Sequence, residues 1–365
     1  MSSIWGERLK ISLFGESHGP GIGVVVDGFP PGMLVDLEKI GFEMGRRRPR
    51  TSAYSTPRKE ADEVEILSGV FQGRTTGTPI CGLIRNTDTR SQDYERTSHL
   101  ARPGHADYTG YVRYGGFNDF RGGGHFSARL TAPLVFAGAL ARQYLEAKGI
   151  HIGSHIFRIG DVQDIGFDMT DITREQLESL RNMEMPVNDA SCANAFLEVI
   201  EDAKSQGDSV GGIIEAAVIG LPAGLGSPIF GNVEGKLASI LFSIPAVKGV
   251  EFGTGFAIAG MRGSEANDSF YMDGDQVRTR TNHNGGINGG ITNGMPLVFR
   301  VAFKPTSSIA IAQDTIDIIK KENARLEIKG RHDACIVPRA VPVVEAACAI
   351  ALCDLYLVHF GLKCP

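Results

Sequence analysis

Residues 297–304 read LVFRVAFK, and the chain continues directly into the hydroxyl-rich turn PTSS at 305–308. Leu297, Phe299, Val301 and Phe303 alternate with Val298, Arg300, Ala302 and Lys304. That period of two marks a half-buried strand. Ile22 to Asp27 and Pro79 to Arg85 read as further strands. Helical spacing appears elsewhere: Leu130, Leu134, Ala137, Ala141 and Leu145 recur on one face, and Gly149 closes that segment as a C-terminal cap. Thr173 followed by Gln176 predicts a capping box for a helix through about Arg181. Ala190 to Gln206 is a further helix, stopped by Gly207, and Val341 to Phe360 reads as a buried one despite Glu345, Asp354 and His359. Strands and helices mixed throughout predict a layered α/β or α+β domain.

A chain of 365 residues suffices for one large domain or two ordinary ones. No Pro- or Ser-rich linker, low-complexity tract or internal repeat divides it. The net charge of −5 argues against a protein that binds polyanions with its whole surface. The 46 glycines exceed the roughly 7% of average usage and fall in short clusters, which implies tight turns and close backbone approaches. Cys81, Cys192, Cys335, Cys348, Cys353 and Cys364 form no C-x-x-C pair and no zinc-site spacing, so a reducing compartment is expected. The N-terminal MSSIWGERLK lacks the apolar core of a signal peptide, and no run approaches the ~20 apolar residues of a membrane span. A cytoplasmic protein is expected.

Chemistry gathers in a few loops. GESHGPGIGVVVDGFPPG, residues 15–32, holds six glycines and three prolines around Ser17 and His18. It is not the G-x-S-x-G of a nucleophile elbow, it lacks the lysine of a phosphate-binding P-loop, and it is not a G-x-G-x-x-G fingerprint. What remains is a Ser and a His on a tight turn, either a surface histidine or one aimed at a ligand. GRRRPRTSAYSTPRKE, residues 45–60, carries six basic residues in sixteen: Arg46, Arg47, Arg48, Arg50, Arg58 and Lys59. Nucleic acid, a small multiply charged anion and a solvated basic loop all suit this cluster, although only Tyr54 interleaves the charges. Residues 102–133 bring His105, Asp107, Arg113, Arg121, His125, Ser127 and Arg129 around Gly122-Gly123-Gly124, just before a helix. Glycines entering a helix N-terminus beside arginines make an anion pocket. FKPTSSIA (303–310) offers Lys304, Thr306, Ser307 and Ser308 as donors, TNHNGGINGG (281–290) is another glycine turn, and Arg331, His332 and Asp333 precede the last helix. Basic loops, two histidines and one aspartate fit acid–base chemistry on a phosphorylated, carboxylated small molecule.

Taken in order, GESHGPGIGVVVDGFP, the RRRP run, RPGHADYT, GGGHFSARLTAPLVFAGAL, AVKGVEFG, NHNGGINGG, KPTSS and GRHDACIVPRAVPVVEA resemble the chorismate synthase family from about Ile11 to near Phe360. The resemblance implies a single layered β-α-β-α sandwich domain of α+β class over residues 1–365, assembled as a homotetramer. It implies a 1,4-anti elimination that converts 5-enolpyruvylshikimate 3-phosphate to chorismate and phosphate, with reduced FMN required and no net redox change. By position, His18 would be the acid that assists the departing phosphate. His105 would face the reduced flavin, and Asp333 would serve its N5. Arg47 and Arg129 would bind substrate, with Ser17, Arg46, Arg121 and Arg339 as further candidates; Arg47 is also a candidate for NADPH. The flavin would be held by His125, Phe126, Ser127, Pro245, Ala246, Gly289, Lys304, Pro305, Thr306, Ser307, Ser308 and Arg331.

Four positions, in three places, depart from the family's common pattern. His125 and Phe126 stand where relatives carry Arg and Ser, Ala53 lies where an Arg is usual, and Pro245 replaces an Asn. No dinucleotide fingerprint is present, so an external flavin reductase is the expected source of reduced flavin. The rival functions are an electron-transferring flavoprotein on the same fold and an RNA- or phosphoprotein-binding module built on the Arg46–Arg50 patch. Neither nucleic acid nor membrane is expected as a partner.

Overall fold

The alternation in LVFRVAFK builds a central strand of a five-stranded sheet. A computed structural model describes residues 3–48, 62–87, 98–328 and 333–361. The first sheet contains β1 (Ile4–Trp5), β2 (Lys10–Gly15), β3 (Gly21–Asp27), β4 (Val64–Ser68) and β7 (Ile80–Arg85), in the order β1-β2-β3-β7-β4, all antiparallel. β5 (Val70–Phe71) and β6 (Arg74–Thr75) form a small hairpin between β4 and β7. The second sheet contains β8 (His151–Ile159), β9 (Val162–Gln163), β10 (Gly212–Ile219), β11 (Val247–Phe252) and β16 (Leu297–Phe303), in the order β11-β16-β10-β8-β9, again antiparallel. Three further hairpins project from it: β12 (Phe270–Asp273) with β13 (Gln276–Thr279), β14 (Ile287–Asn288) with β15 (Ile291–Thr292), and β17 (Gln313–Asp317) with β18 (Glu322–Leu326).

Helices fill the space between the sheets. α1 (Leu37–Arg47), α3 (Thr131–Glu146), α6 (Val233–Leu241) and α8 (Val337–Phe360) lie there, with α3 touching β3 and β7 on one side and β8 on the other. Helices α3 and α8 run against each other at close range: a Cβ at Gly138 would stand 2.3 Å from that of Ala346. Outside the second sheet, α4 (Arg174–Asn182) seals a second, smaller cluster with Phe167, Ile172, Ala217 and Val298, and α5 (Ala190–Ser205) packs at the β8–β9 edge. The order sheet, helices, sheet, helix is the expected β-α-β-α layering of an α+β protein. The remaining helices are α2 (Asp107–Tyr114) and the one-turn α7 (Gly263–Ala266).

Leu297, Phe299, Val301 and Phe303 face the helix layer, as the alternation predicted. The opposite face was expected to be wet. Val298 there is 1% exposed, because the α4 layer covers it. The capping hydroxyl of Thr173 accepts from the Gln176 amide at 3.1 Å. Gly149 adopts φ +77° just beyond α3, as a helix-ending glycine should. The last helix begins at Val337, four residues before its expected start: Pro338 falls in the first turn, where amides need no intrahelical acceptor, and Pro342 is carried inside the helix. Among the described residues it is the one helix long and apolar enough to cross a membrane, and 89% of its apolar window is buried in the protein.

Charges are also built into the helix layer. Arg46 of α1 is bidentate to Glu345 of α8 (2.5 and 3.0 Å) and donates to Glu43 at 2.8 Å. Arg142 of α3 donates to Glu345 at 2.6 Å, and Ser154 of β8 donates to the same carboxylate at 2.8 Å. Arg181, near the end of α4, reaches Glu43 at 2.7 Å.

Candidate active site

Where β2 ends, the chain must turn sharply before β3, and Gly15 does so at φ +94°. The turn carries Ser17 and His18, both buried. The Ser17 amide donates to the Gly124 carbonyl at 3.1 Å, which pins this turn to the triple glycine. Gly122, Gly123 and Gly124 have φ of 58°, 84° and 53°, a conformation that side-chain-bearing residues rarely hold. A Cβ on Gly122 would lie 2.0 Å from the His18 ring, and one on Gly123 would lie 3.4 Å from Cε1 and Nε2 of His105. The glycine loop is therefore a thin backbone spacer with an imidazole against each of two neighbouring residues. Two histidines 87 positions apart in sequence are brought together this way.

His105 is held from behind. Its Nδ1 lies 2.7 Å from Oδ1 of Asp107, the first residue of α2. Arg102 grips the same carboxylate through Nε and Nη2, both at 2.7 Å, and through its backbone amide at 3.0 Å. Burial pushes the Asp107 carboxyl up, but the hydrogen bonds from Arg102 and His105 outweigh this and hold it well below the ordinary range.

The PTSS turn joins from the end of β16. Lys304 donates through Nζ to the Gly104 carbonyl at 2.5 Å and through its amide to the Ala246 carbonyl at 3.0 Å. Ala246 itself sits at φ +73°, strained for alanine. Burial, with Lys248 nearby, depresses the Lys304 ammonium from its usual value. The Thr306 carbonyl accepts from Ser209 at 2.7 Å, whereas the Thr306 hydroxyl is buried with no partner among the described residues. A buried orphan hydroxyl is costly unless a ligand satisfies it.

Arg47, at the end of α1, and Arg129, in the 3₁₀ turn Ala128–Leu130, are bridged by Asp62. Arg47 Nη1 donates to Asp62 Oδ2 at 2.9 Å, and Arg129 Nη1 donates to Oδ1. Burial raises the Asp62 carboxyl, but the two guanidinium groups lower it further, so it stays ionised. Arg47 also donates to Thr131 (3.2 Å) and to the Ala128 carbonyl (3.1 Å). Arg129 Nε donates to the side-chain Oδ1 of Asn86 at 3.2 Å, and Asn86 Nδ2 donates to the backbone carbonyls of Glu16 (3.0 Å) and Gly19 (2.9 Å). Asn86 thereby fixes Arg129 to the His18 turn. Asp333 accepts from Arg339 at 2.6 Å, and Arg339 Nε reaches the Arg47 carbonyl at 3.3 Å.

The structure thus gathers Ser17, His18, His105, Ser127, Arg47, Arg129, Asp333, Arg339, Ala246 and the Lys304–Ser308 turn into neighbouring loops. Other candidates fall elsewhere. Arg46 is spent on Glu43 and Glu345 inside the helix layer, where four buried carboxylate and guanidinium groups neutralise one another. His125 turns away, with Nδ1 on the Gly15 carbonyl and Nε2 on Ser3 Oγ, both at 2.9 Å. Phe126 packs on Gly110 and Tyr114 of α2, its ring 6.1 Å from the tyrosine's. Arg121, though next to the glycine spacer at the margin of the site, is bidentate to Asp119 (2.9 and 2.8 Å) and partly exposed. Gly289 caps the β14–β15 hairpin beside the start of α6, at the opposite end of β16 from Lys304. Pro245 precedes the strained Ala246 and is half-buried. Arg331, His332, Ala53, Arg50 and Arg58 lie outside the described residues. Asp62 and Asn86 were not foreseen: each acts through a partner more than forty residues away, and neither stands in a distinctive motif.

Such a site can bind several anionic groups on buried arginines and present two imidazoles beside them. No group of histidines, cysteines and carboxylates among the described residues could hold a metal ion. The family model for chorismate synthase matches residues 9–357. The chain is 47% identical over 359 residues to a chorismate synthase of Dehalococcoides mccartyi, covering 98% of this chain and 97% of the relative. A chorismate synthase of Thermococcus gammatolerans is 49% identical over 349 residues, 96% of each chain. A solved structure described as a chorismate synthase crystal structure superposes with a TM-score of 0.76 at 31% identity, covering 98% of this chain and 94% of the other.

Proposed function

The chain belongs to the chorismate synthase family, and from that premise we propose how its own residues carry out the reaction. The enzyme is a carbon–oxygen lyase of the shikimate pathway: 5-enolpyruvylshikimate 3-phosphate loses phosphate and its C6 proton to give chorismate. The family uses reduced FMN, which supplies the electron-rich ring and a basic N5 for that proton.

The described loops fit such a cofactor. The orphaned Thr306 hydroxyl, the strained Ala246 and the half-buried Lys304 surround a place where a phosphorylated, hydrogen-bonding ligand would satisfy what the protein leaves open. Lys304, Pro305, Thr306, Ser307, Ser308, Pro245, Ala246 and Ser127 would hold it, with Arg331 as a further candidate.

Arg47 and Arg129 bind the substrate's anionic groups, supported by Arg339 and Ser17. His18 donates a proton to the departing phosphate, because an unprotonated phosphate leaves poorly. His105 would present Nε2 to the reduced flavin when it is bound, and Asp333 would serve as the carboxylate near its N5. The glycine spacer carries this proposal, since His18 and His105, from two separate segments, lie against neighbouring residues of one short backbone loop.

An external reductase delivers reduced flavin, with NADPH as its ultimate reductant and Arg47 as the candidate contact should the enzyme use NADPH itself. The continuous core from both sheets and the central helices supports a single domain over 1–365. Phe117, Phe230 and Phe256, exposed by 94, 95 and 86%, favour burial against other subunits, which we take to be those of the homotetramer expected from the family; the location is taken as cytoplasmic on the same family grounds. The internal burial of Arg46 and Arg47 speaks against a surface strip for nucleic acid.

The test is anaerobic turnover with dithionite-reduced FMN and the enolpyruvyl substrate. Chorismate absorbance should rise in step with released phosphate and without flavin oxidation. A folded protein that yields no chorismate would overturn the assignment.

A further inference from the structure

His105 sits at the end of a relay of charges that the elimination does not itself require. Asp107 is an ionised carboxylate and can only accept hydrogen bonds. A 2.7 Å contact between its Oδ1 and Nδ1 of His105 therefore requires the proton on Nδ1; two lone pairs at that distance would repel. Arg102 holds both carboxylate oxygens, so the carboxylate can neither rotate away nor take the proton for itself. Its Nη2 also lies 3.1 Å from Nδ1, yet it is always a donor and cannot share a hydrogen bond with a protonated Nδ1. The far edge of the ring, Cε1 and Nε2, lies against Gly123 on the side of His18.

We propose that Asp107, clamped by Arg102, is a positioning residue that fixes the proton of His105 on Nδ1 and aims Nε2 into the cleft. With Nδ1 occupied, Nε2 has one task. It is the only ring atom left to face an anionic ligand, and when protonated it does so as part of an imidazolium whose charge Asp107 balances across the ring. The other charged groups about this ring are Lys304, bound to the adjacent Gly104 carbonyl, and His18 beyond the glycine spacer. Both are cationic or neutral, so Asp107 is the one carboxylate in contact with the imidazole among the described residues. The inference rests on His105 acting at the flavin, as proposed above.

Two measurements test it separately from that premise. Nitrogen-15 NMR of the histidine-labelled full chain, without flavin, should show the Nδ1–H tautomer for neutral His105, identified by its disappearance in His105→Ala. An Nε2–H tautomer in the wild-type chain would overturn the inference, whatever any variant does. Asp107→Asn keeps an acceptor for Nδ1 but removes the charge. It should lower kcat by about 10–10²-fold with KM for substrate unchanged. Asp107→Glu should recover part of the rate. If His105→Ala is impaired while Asp107→Asn keeps the wild-type kcat, the positioning role is wrong and the flavin role stands. If His105→Ala turns over normally, the flavin role itself is wrong.

Discussion

Gly122 has no room for a side chain. Alanine there would strain a φ of 58° and drive its Cβ to 2.0 Å from the His18 ring. The left-handed conformation alone costs roughly 1–2 kcal/mol. Displacing an acid by about an ångström can cost about 10²-fold in rate. Gly122→Ala should accordingly lower kcat by about that factor while reduced FMN still binds, which stopped-flow turnover and flavin titration check together. Arg47→Ala should raise substrate KM at least about tenfold, since it removes a charge-assisted, buried anion contact, with no gain or loss of RNA binding in a filter assay. The candidates His18, His105, Arg47 and Arg129 could be named from the sequence because each stands in a glycine- or arginine-rich motif. Asp62, Asn86 and the orienting role of Asp107 were not. Asp62 becomes a bridge only when the fold brings Arg47 and Arg129, 82 positions apart, to its two oxygens. Arg46 misled for the converse reason: it neighbours Arg47 in sequence but projects from another side of α1, into Glu345.

At the level of elements, the helix layer is fastened by apolar contact and by the ion network that joins α1, α3 and α8. Glu345 is fully buried, and its carboxylate meets Arg46, Arg142 and Ser154. Glu345→Ala leaves Arg46 and Arg142 buried with Glu43 as their shared remaining counter-charge and should destabilise by about 3–5 kcal/mol in urea denaturation, the range for breaking a buried pair from one side. A loss below about 1 kcal/mol would mean that Glu43 alone balances those charges. Long periodic segments such as α3 and β16 could be read from sequence because burial imposes a period on them. The hairpins β14–β15 and β5–β6 could not, since two-residue strands carry no period at all. The wet face expected for β16 was dry at Val298 because a single strand's alternation cannot report a second helical layer on the far side of its sheet.

For the molecule as a whole, acid is the natural stress. Burial pushes the Glu43 carboxyl up, but Arg142, Arg46 and Arg181 outweigh it and hold it at about 2, below the ordinary 4.5. A carboxylate depressed in the folded state contributes stability that is complete above its unfolded value and is lost as pH falls through the folded one. The urea midpoint should therefore drop as pH is lowered from 4.5 to about 2, and Glu43→Gln should flatten the curve in that window while lowering stability above it. Fold class and the layered architecture were accessible from the sequence because patterning and eight ordered motifs agree; how the loops meet was not, because that depends on packing between distant elements. The assignment of His18 as the proton donor is tested most directly by anaerobic turnover of His18→Ala with reduced FMN, following chorismate absorbance. A general acid's loss should slow product formation by about 10²–10⁴-fold with FMN affinity unchanged. Wild-type turnover, or a slow variant whose only defect is weakened flavin binding, would contradict that role.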